Sequence, residues 1–369
     1  MRLSVIVPVY NMEAGEKLKW CLDSLAAQTL PEGEMEVIMV DDCSTDGSFA
    51  LMQEYEKAYP EQFLAVHSPV NHHQGGAKNI GLSLAKGDWI GFIDADDWIT
   101  GDFYARLLGK AEETGADMVG CDYCFVSEHT FKPGKRVANN RSDQTGVLDE
   151  KKYRKLILDT GSLVVKIYRR GIIYGDRPEA DANRLQDRTC AVDAGGTFRG
   201  KPVDVFPEDI FYEDNAVCNT WVLRAKHFEY IPEALYYYYQ HSASTVHTIS
   251  EKNLKDRCTA GRMIVSEAKR HGYFEKYQPE IEFLYTVLFY VNTLFSAMPK
   301  EQHIRHCYAF TKNLGQEMKE TFPDFQKNPY YQERIHAEEK KLIAMQMKSQ
   351  LLFYCYYRVL WAYRNFRRK

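Results

Sequence analysis

Short apolar runs alternate with helix-spaced apolar positions along the first third of the chain. Leu3 to Val9 predicts a buried strand, and Leu18, Cys21, Leu22 and Leu25 then recur on one helical face. Met35 to Val40 and Phe63 to Val66 predict the next two strands. A helix follows over Gly76 to Ala85, stopped at Gly87, and Asp88 to Ile93 predicts a fourth strand. Strands separated by helical stretches imply an α/β sheet with crossover helices. Two of these strands end in carboxylates: Asp41 and Asp42 in one case, Asp94, Asp96 and Asp97 in the other. Acidic groups therefore gather at the edge of the sheet where open α/β folds bind ligands.

Beyond residue 100 the pattern is less regular. Met118 to Val126 predicts a buried strand, and Tyr236 to Tyr239 predicts another. Periodicity lapses from Arg136 to Asp149 and from Tyr174 to Pro207, and both segments read as loops or insertions. From about Leu235 onward aromatic-rich helical patterns take over, so an appended helical region, 250–369, is expected to follow a domain over 1–249. Within that domain a first half would span about 1–125 and a second half about 126–249. The longest charge-free stretch, Phe283 to Met298, carries four polar residues and is short for a bilayer span; it predicts a buried helix.

A length of 369 residues allows one domain plus a smaller one, and a formal charge of -4 argues against a nucleic-acid binder. Nine cysteines without framework spacing fit a reducing compartment. Cys121 and Cys124 form a lone CxxC without the second pair a zinc site needs. Met1 to Pro8 runs straight into a strand, without a signal peptide's apolar region and cleavage site, so a cytoplasmic location is expected.

Three carboxylates in Asp94-Ala95-Asp96-Asp97 repel one another unless a cation or strong donors offset them. A hard divalent ion, Mg²⁺ or Mn²⁺, binds oxygen ligands of this kind and bridges them to substrate phosphates; a solvated acidic turn is the alternative. Asp42, in Val40-Asp41-Asp42-Cys43-Ser44-Thr45-Asp46-Gly47, could accept a hydrogen bond from a ribose hydroxyl or base imide, while Ser44, Thr45 or Asp46 could cap the next helix. Two acidic pairs, Glu208-Asp209 and Glu213-Asp214, follow in a loop ahead of a helix.

Taken in order, Ser4-Val5-Ile6-Val7-Pro8-Val9-Tyr10-Asn11, Val40-Asp41-Asp42, Ala77-Lys78-Asn79-Ile80-Gly81 and Phe92-Ile93-Asp94-Ala95-Asp96-Asp97 resemble the motifs of family 2 inverting glycosyltransferases. The resemblance implies a GT-A fold, a nucleotide-diphosphate-sugar donor, a glycan or lipid-linked acceptor, and a Mn²⁺ or Mg²⁺ ion. It places Pro8, Tyr10 and Asp42 at the nucleoside, Asp94 near the ribose and Asp96 at the metal and diphosphate. Lys78 stands where the family usually carries arginine and would bring positive charge to the donor. The family's Glu-Asp pair before a helix matches Glu213-Asp214, which makes Asp214 the general base, with Glu213 raising its basicity or orienting the acceptor. His241 and Ser244 match the segment that closes over the donor, with His241 a candidate metal ligand. Favouring the start of the helix is the other role open to Glu213 and Asp214.

The final stretch, 351–369, combines aromatics with five cations and no acid. Two readings stand: an interfacial helix in peripheral contact with the inner face of the plasma membrane, or an aromatic helix packed on the enzyme with a basic end. Two other functions also remain. A nucleotidyltransferase would need a glycine-rich phosphate loop after the first strand, where Tyr10-Asn11-Met12-Glu13 stands; a non-catalytic sugar-nucleotide-binding module would keep Asp42 without requiring Asp214.

Overall fold

The parallel block at the start of the chain is built from runs that are buried on both faces. β1 (Leu3–Val9), β2 (Met35–Asp41), β3 (Phe63–His67) and β4 (Trp89–Phe92) pair in parallel in the order β3-β2-β1-β4. Every residue of β1 and β2 is buried, as strands covered by helices on both sides require. The crossovers are α1 (Lys17–Ala26), α2 (Ser48–Ala58) and α3 (His73–Leu84). The computed structural model describes residues 1–175, 188–240 and 249–368. It divides into two compact units, Met1–Ser242 and Ala243–Lys369, and the first helix of the second begins at Glu251.

The sheet continues past β4 through a second, mixed half. β9 (Lys166–Arg169) runs antiparallel to both β4 and β6 (Met118–Val126), and β10 (His227–Tyr239) lies parallel to β6. β5 (Trp98–Ile99) closes the order β3-β2-β1-β4-β9-β6-β10-β5. β6 and β10 occupy the segments expected to be strands. Cys121 and Cys124 are three apart on β6, so the pleat sends them to opposite faces. The segment Arg136 to Asp149 is not wholly loop: β7 (Lys135–Val137) pairs with β6 and β8 (Gly146–Val147) with β10.

β9 escaped the hydrophobic pattern because Lys166 interrupts the run that begins at Leu163. Its side chain is fully buried, its Nζ donates to the Ser162 carbonyl at 2.8 Å, and desolvation pushes its pKa down to about 7. Pro8 sits in a central strand, where its missing N–H would ordinarily break the ladder. It is tolerated because β4 pairs with β1 only as far as Ile6↔Phe92, leaving β1 flanked at Pro8 by β2 alone.

α3 starts three residues earlier than expected, at His73, and one of its faces receives a later segment of the chain. Gly75, Asn79 and Ser83, each four residues apart, form a track along that face. Asn79 Oδ1 accepts the backbone N–H groups of Val205 and Phe206 at 3.2 and 2.8 Å, and its Nδ2 donates to the Phe206 carbonyl at 2.9 Å. Ser83 Oγ accepts from Val203 N at 2.8 Å. At Gly75 a Cβ would lie 2.0 Å from the Pro207 carbonyl oxygen, so only glycine permits the approach. The end of the stretch expected to be an insertion, Val203 to Pro207, is thus anchored backbone to side chain. The helix Glu213–Trp221 follows it.

In the second unit, Ser250 caps the helix Glu251–Arg270 by accepting from Asn253 N. The next helical stretch, Gln278–His303, is long and apolar enough to cross a membrane, yet Phe289, Tyr290 and Leu294 are fully buried within the unit. A Cβ at Gly261 would lie 2.7 Å from Phe289 Cβ, so this glycine sets how closely the two helices meet. Gln346, on the helix Ala337–Lys348, accepts from Tyr290 Oη at 2.6 Å and donates to the Thr311 carbonyl at 2.8 Å. The last helix is Gln350–Arg368.

Replacing Asn79 with Ala leaves two buried N–H groups without their acceptor, at a cost of about 1–3 kcal/mol each. Asn79→Ala should therefore lower the thermal midpoint markedly, and Asn79→Asp should lower it too, because its carboxylate would face the Phe206 carbonyl in place of a donor. Equal midpoints for wild type and Asn79→Ala in a calorimetric scan would contradict the track.

Candidate active site

Strand ends bring the first candidate groups to the carboxyl edge of the parallel block. Pro8 is buried near the end of β1, and Tyr10, just beyond it, is 49% exposed. Asp41 closes β2 and pairs with His67 Nδ1 at 2.7 Å, which leaves Asp42 as the carboxylate beyond the strand. Asp42 is buried, and its Oδ1 accepts from His72 N at 2.8 Å. Burial raises its pKa to about 6, against the pull of that hydrogen bond and of the His72 side chain.

The turns after β1 and β2 are laced together. Asn11 Oδ1 accepts from Thr45 N, Ser44 Oγ accepts from Asn11 N, and Ser48 Oγ accepts from Met12 N. Ser44 and Thr45 therefore brace the Tyr10 loop instead of capping α2; Asp46 alone reaches the helix, accepting from Ser48 N at 3.0 Å. The bracing orders the wall in which Tyr10 stands.

After β4, a tight turn from Asp94 to Asp97 separates three carboxylates that look equivalent in the sequence. Asp97 is buried and accepts from Tyr236 Oη at 2.6 Å and Tyr239 N at 2.8 Å. Burial, and then the charges of Asp96 and Asp94, raise its pKa well above the usual carboxylate range. It ties the turn to β10, so the acidic cluster offers two carboxylates to a ligand, not three. Asp94 and Asp96 are half-buried at the turn. Burial pushes the Asp94 carboxyl up to about 7; Lys78 opposes the shift, and Asp96, Glu213 and Asp214 add to it.

No group of three His, Cys, Asp or Glu side chains among the described residues encloses a common point. The oxygen groups at the turn that could hold an ion are the carboxylates of Asp94 and Asp96. This suits Mg²⁺ or Mn²⁺, which keeps waters and takes its remaining ligands from a diphosphate. His241 and Ser244 lie outside the described residues.

Lys78 meets Glu213 inside the protein. It is 3% exposed, and its Nζ lies 2.6 Å from Glu213 Oε1, with Glu213 4% exposed. Its ammonium also stands over the Phe206 ring at 5.4 Å. Burial works against the lysine's charge, but Glu213, Asp94 and Asp214 outweigh it and hold Lys78 protonated above the ordinary lysine range. Lys78 thus enters a buried ion pair, because α3 faces the segment leading to the helix Glu213–Trp221.

That helix places its first two residues differently. Glu213 points into the protein, while Asp214 is half-buried, with its Oδ1 accepting from Asn215 N and Nδ2 at 2.7 and 2.8 Å. Both lie close enough to raise the pKa of Asp94. The competing pair sits elsewhere: Glu208 meets His72 at 3.4 Å beside the start of α3, and Asp209 N donates to the His72 carbonyl. Asn79 and Tyr236 are supporting residues that the sequence reading missed. Asn79 stood inside a quoted motif and Tyr236 inside a tyrosine run, but neither pattern reveals its partner.

Comparison with known proteins fits this arrangement. Residues 4–173 match the profile of "Glycosyl transferase family 2". The chain is 28% identical over 261 residues to the uncharacterized glycosyltransferase YibD of Escherichia coli K12, a match covering 69% of this chain and 66% of YibD. It is 38% identical over 119 residues to the poly(ribitol-phosphate) beta-glucosyltransferase of Bacillus spizizenii, covering 32% of this chain and 18% of that protein. The chain thus spans just under two thirds of the first relative and less than a fifth of the second. Among solved structures, Staphylococcus aureus TarS 1-349 in complex with UDP-GlcNAc superposes with a TM-score of 0.54 at 18% identity, covering 91% of this chain and 93% of TarS. Sheet order, motif placement and these matches agree: residues 4–173 match glycosyltransferase family 2, the fold is similar to that of the solved TarS structure, and a C-terminal helical region follows.

Proposed function

We propose that the protein is a family 2 glycosyltransferase that transfers a sugar from a nucleotide-diphosphate donor, a UDP-sugar, to a glycan or lipid-linked acceptor with inversion at the anomeric carbon. One observation carries the proposal: Asp94 from β4, Lys78 from α3 and the Glu213-Asp214 pair from the later helix converge within electrostatic reach of one another at the carboxyl edge of the sheet. The UDP-GlcNAc complex of TarS supports a uridine nucleotide as the first donor to test. The nine free thiols, most of them buried, are compatible with work in the cytoplasm.

Pro8, Tyr10 and Asp42 line the nucleoside end, and Asp94 and Asp96 hold the ion. A bound Mn²⁺ or Mg²⁺ supplies neutralisation of the charge that builds on the departing diphosphate. The acceptor oxygen forms its bond to the anomeric carbon as the bond from that carbon to the diphosphate oxygen breaks. The electron pair leaves with the nucleoside diphosphate, and the acceptor proton passes to the Asp214 carboxylate. Glu213 is a positioning residue: its pair with Lys78 orients the first turn that carries Asp214. His241 remains a candidate further ligand for the ion.

Three outcomes follow from these roles. Asp214→Asn should cut transfer by about 10²–10⁴-fold while donor affinity, followed by calorimetric titration, stays within a small factor; normal turnover by this variant would remove Asp214 as the base.

Lys78→Met leaves Glu213 buried and unpaired, a loss of about 3–5 kcal/mol. Lys78→Met combined with Glu213→Leu should recover most of that stability in urea unfolding without recovering transfer. If the double variant is as active as wild type, the pair has no positioning role.

Asp42 carries a folded pKa near 6 against about 3.9 unfolded. In that window the unfolded chain is ionised while the folded one holds its proton, so this group makes stability fall as pH rises. Asp42→Asn should match wild type in stability below pH 4. It should gain through pH 4–6 to a ceiling of ~3 kcal/mol above pH 6, while binding UDP more weakly. A pH-independent difference in thermal midpoint would refute the burial argument.

A further inference from the structure

The helix Gln350–Arg368 is apolar on two sides, and only one of them is covered. Its inner side is packed within the second unit: Phe353 is fully buried and Tyr357 nearly so, with their rings 5.8 Å apart. The outer side carries Leu351, Leu352, Tyr356, Val359, Tyr363 and Phe366, exposed by 48–81%, with Cys355 and Ala362 also exposed among them. At about 100° per residue these side chains fall within an arc of roughly 140°. They form one stripe along a helix of 19 residues, about 28 Å long.

The surrounding charge identifies what the stripe fits. Residues 340–369 hold eight cations and no carboxylate side chain, so the formal -4 of the chain is +8 over this segment and -12 over the rest. Arg358 and Arg364 pair with Glu301 and Glu338. Arg367 borders the stripe, its guanidinium 5.8 Å from the Tyr363 ring. A second copy of this chain would bring the same cationic segment to this face, which disfavours self-association through it. An apolar stripe edged by cations matches an anionic bilayer, with the rings and aliphatic groups at the acyl boundary and the cations among the phosphates.

We propose that the outer face of Gln350–Arg368 docks the protein on an anionic lipid surface, with the helix lying in the plane of the interface. The inner face stays packed in its own unit, so docking needs no unfolding of the helix. Membrane contact and packing, alternatives when judged from composition, here belong to opposite sides of one helix.

The test is flotation of the full chain with vesicles of phosphatidylglycerol and phosphatidylcholine in equal parts, against phosphatidylcholine alone. Wild type should float with the anionic vesicles, less so as salt is raised, and hardly at all with the neutral ones. Val359→Glu combined with Phe366→Glu should reduce the floated fraction by about tenfold. Because both positions are largely exposed, circular dichroism and metal-dependent donor hydrolysis in solution should be unchanged. Equal flotation of variant and wild type, or no flotation with anionic vesicles, overturns the proposal. So does a wild-type dimer in light scattering that the variant abolishes, since the stripe would then belong to a second copy. None of these readouts depends on Asp214 being the base, so failure here leaves the proposed transfer reaction standing.

Discussion

The buried pair between Lys78 and Glu213 is the contact on which the site depends. It joins α3, which belongs to the parallel block, to a helix 135 residues later, and it does so where both charges are removed from water. Such a pair contributes little net stability compared with apolar packing, because desolvating two ions offsets most of their attraction. It does impose a strict penalty on separation: neither charge can be left alone in that place. The first turn of the helix Glu213–Trp221 is therefore held against α3, and Asp214 is carried to the neighbourhood of Asp94.

The Asn79 and Ser83 hydrogen bonds extend the same constraint along the backbone, and Gly75 removes the side chain that would block it. On the other side of the site, Tyr236 draws Asp97 into the protein and holds the turn against β10. Burial raises the Asp94 pKa, and Asp96, Glu213 and Asp214 add to the shift against the pull of Lys78. A cation lowers the free energy of that arrangement, and so does a proton. Lys78 is outnumbered by the carboxylates around it, so the site favours a ligand that brings positive charge.

The parallel block could be read directly from the sequence because buried strands leave continuous apolar runs, and the carboxylates at their ends follow from chain direction. Cys121 and Cys124 were legible as strand residues for the same reason. β9 was not, since Lys166 breaks its run, and a buried lysine looks the same in a sequence as an exposed one. Roles within the site divided along a similar line. The motif order singled out Asp94, Asp96 and Asp214, but Asp97 was indistinguishable from its neighbours until its tyrosine partner was known. The position of Lys78 was legible from its motif, but its partner Glu213 was not. Pairings across 130 residues are set by packing, and packing has no local signature.

The track on α3 also bears on how such proteins can be recombined. One face of α3, in the parallel block, is cut to fit one particular later segment, through Gly75, Asn79, Ser83 and Lys78 together. A chimera joined at the apparent midpoint of the fold would separate these residues from Val203, Phe206 and Glu213, which they match. Exchange of this segment between relatives then requires inheriting α3 with the segment it holds, so the natural unit of exchange is discontinuous in sequence.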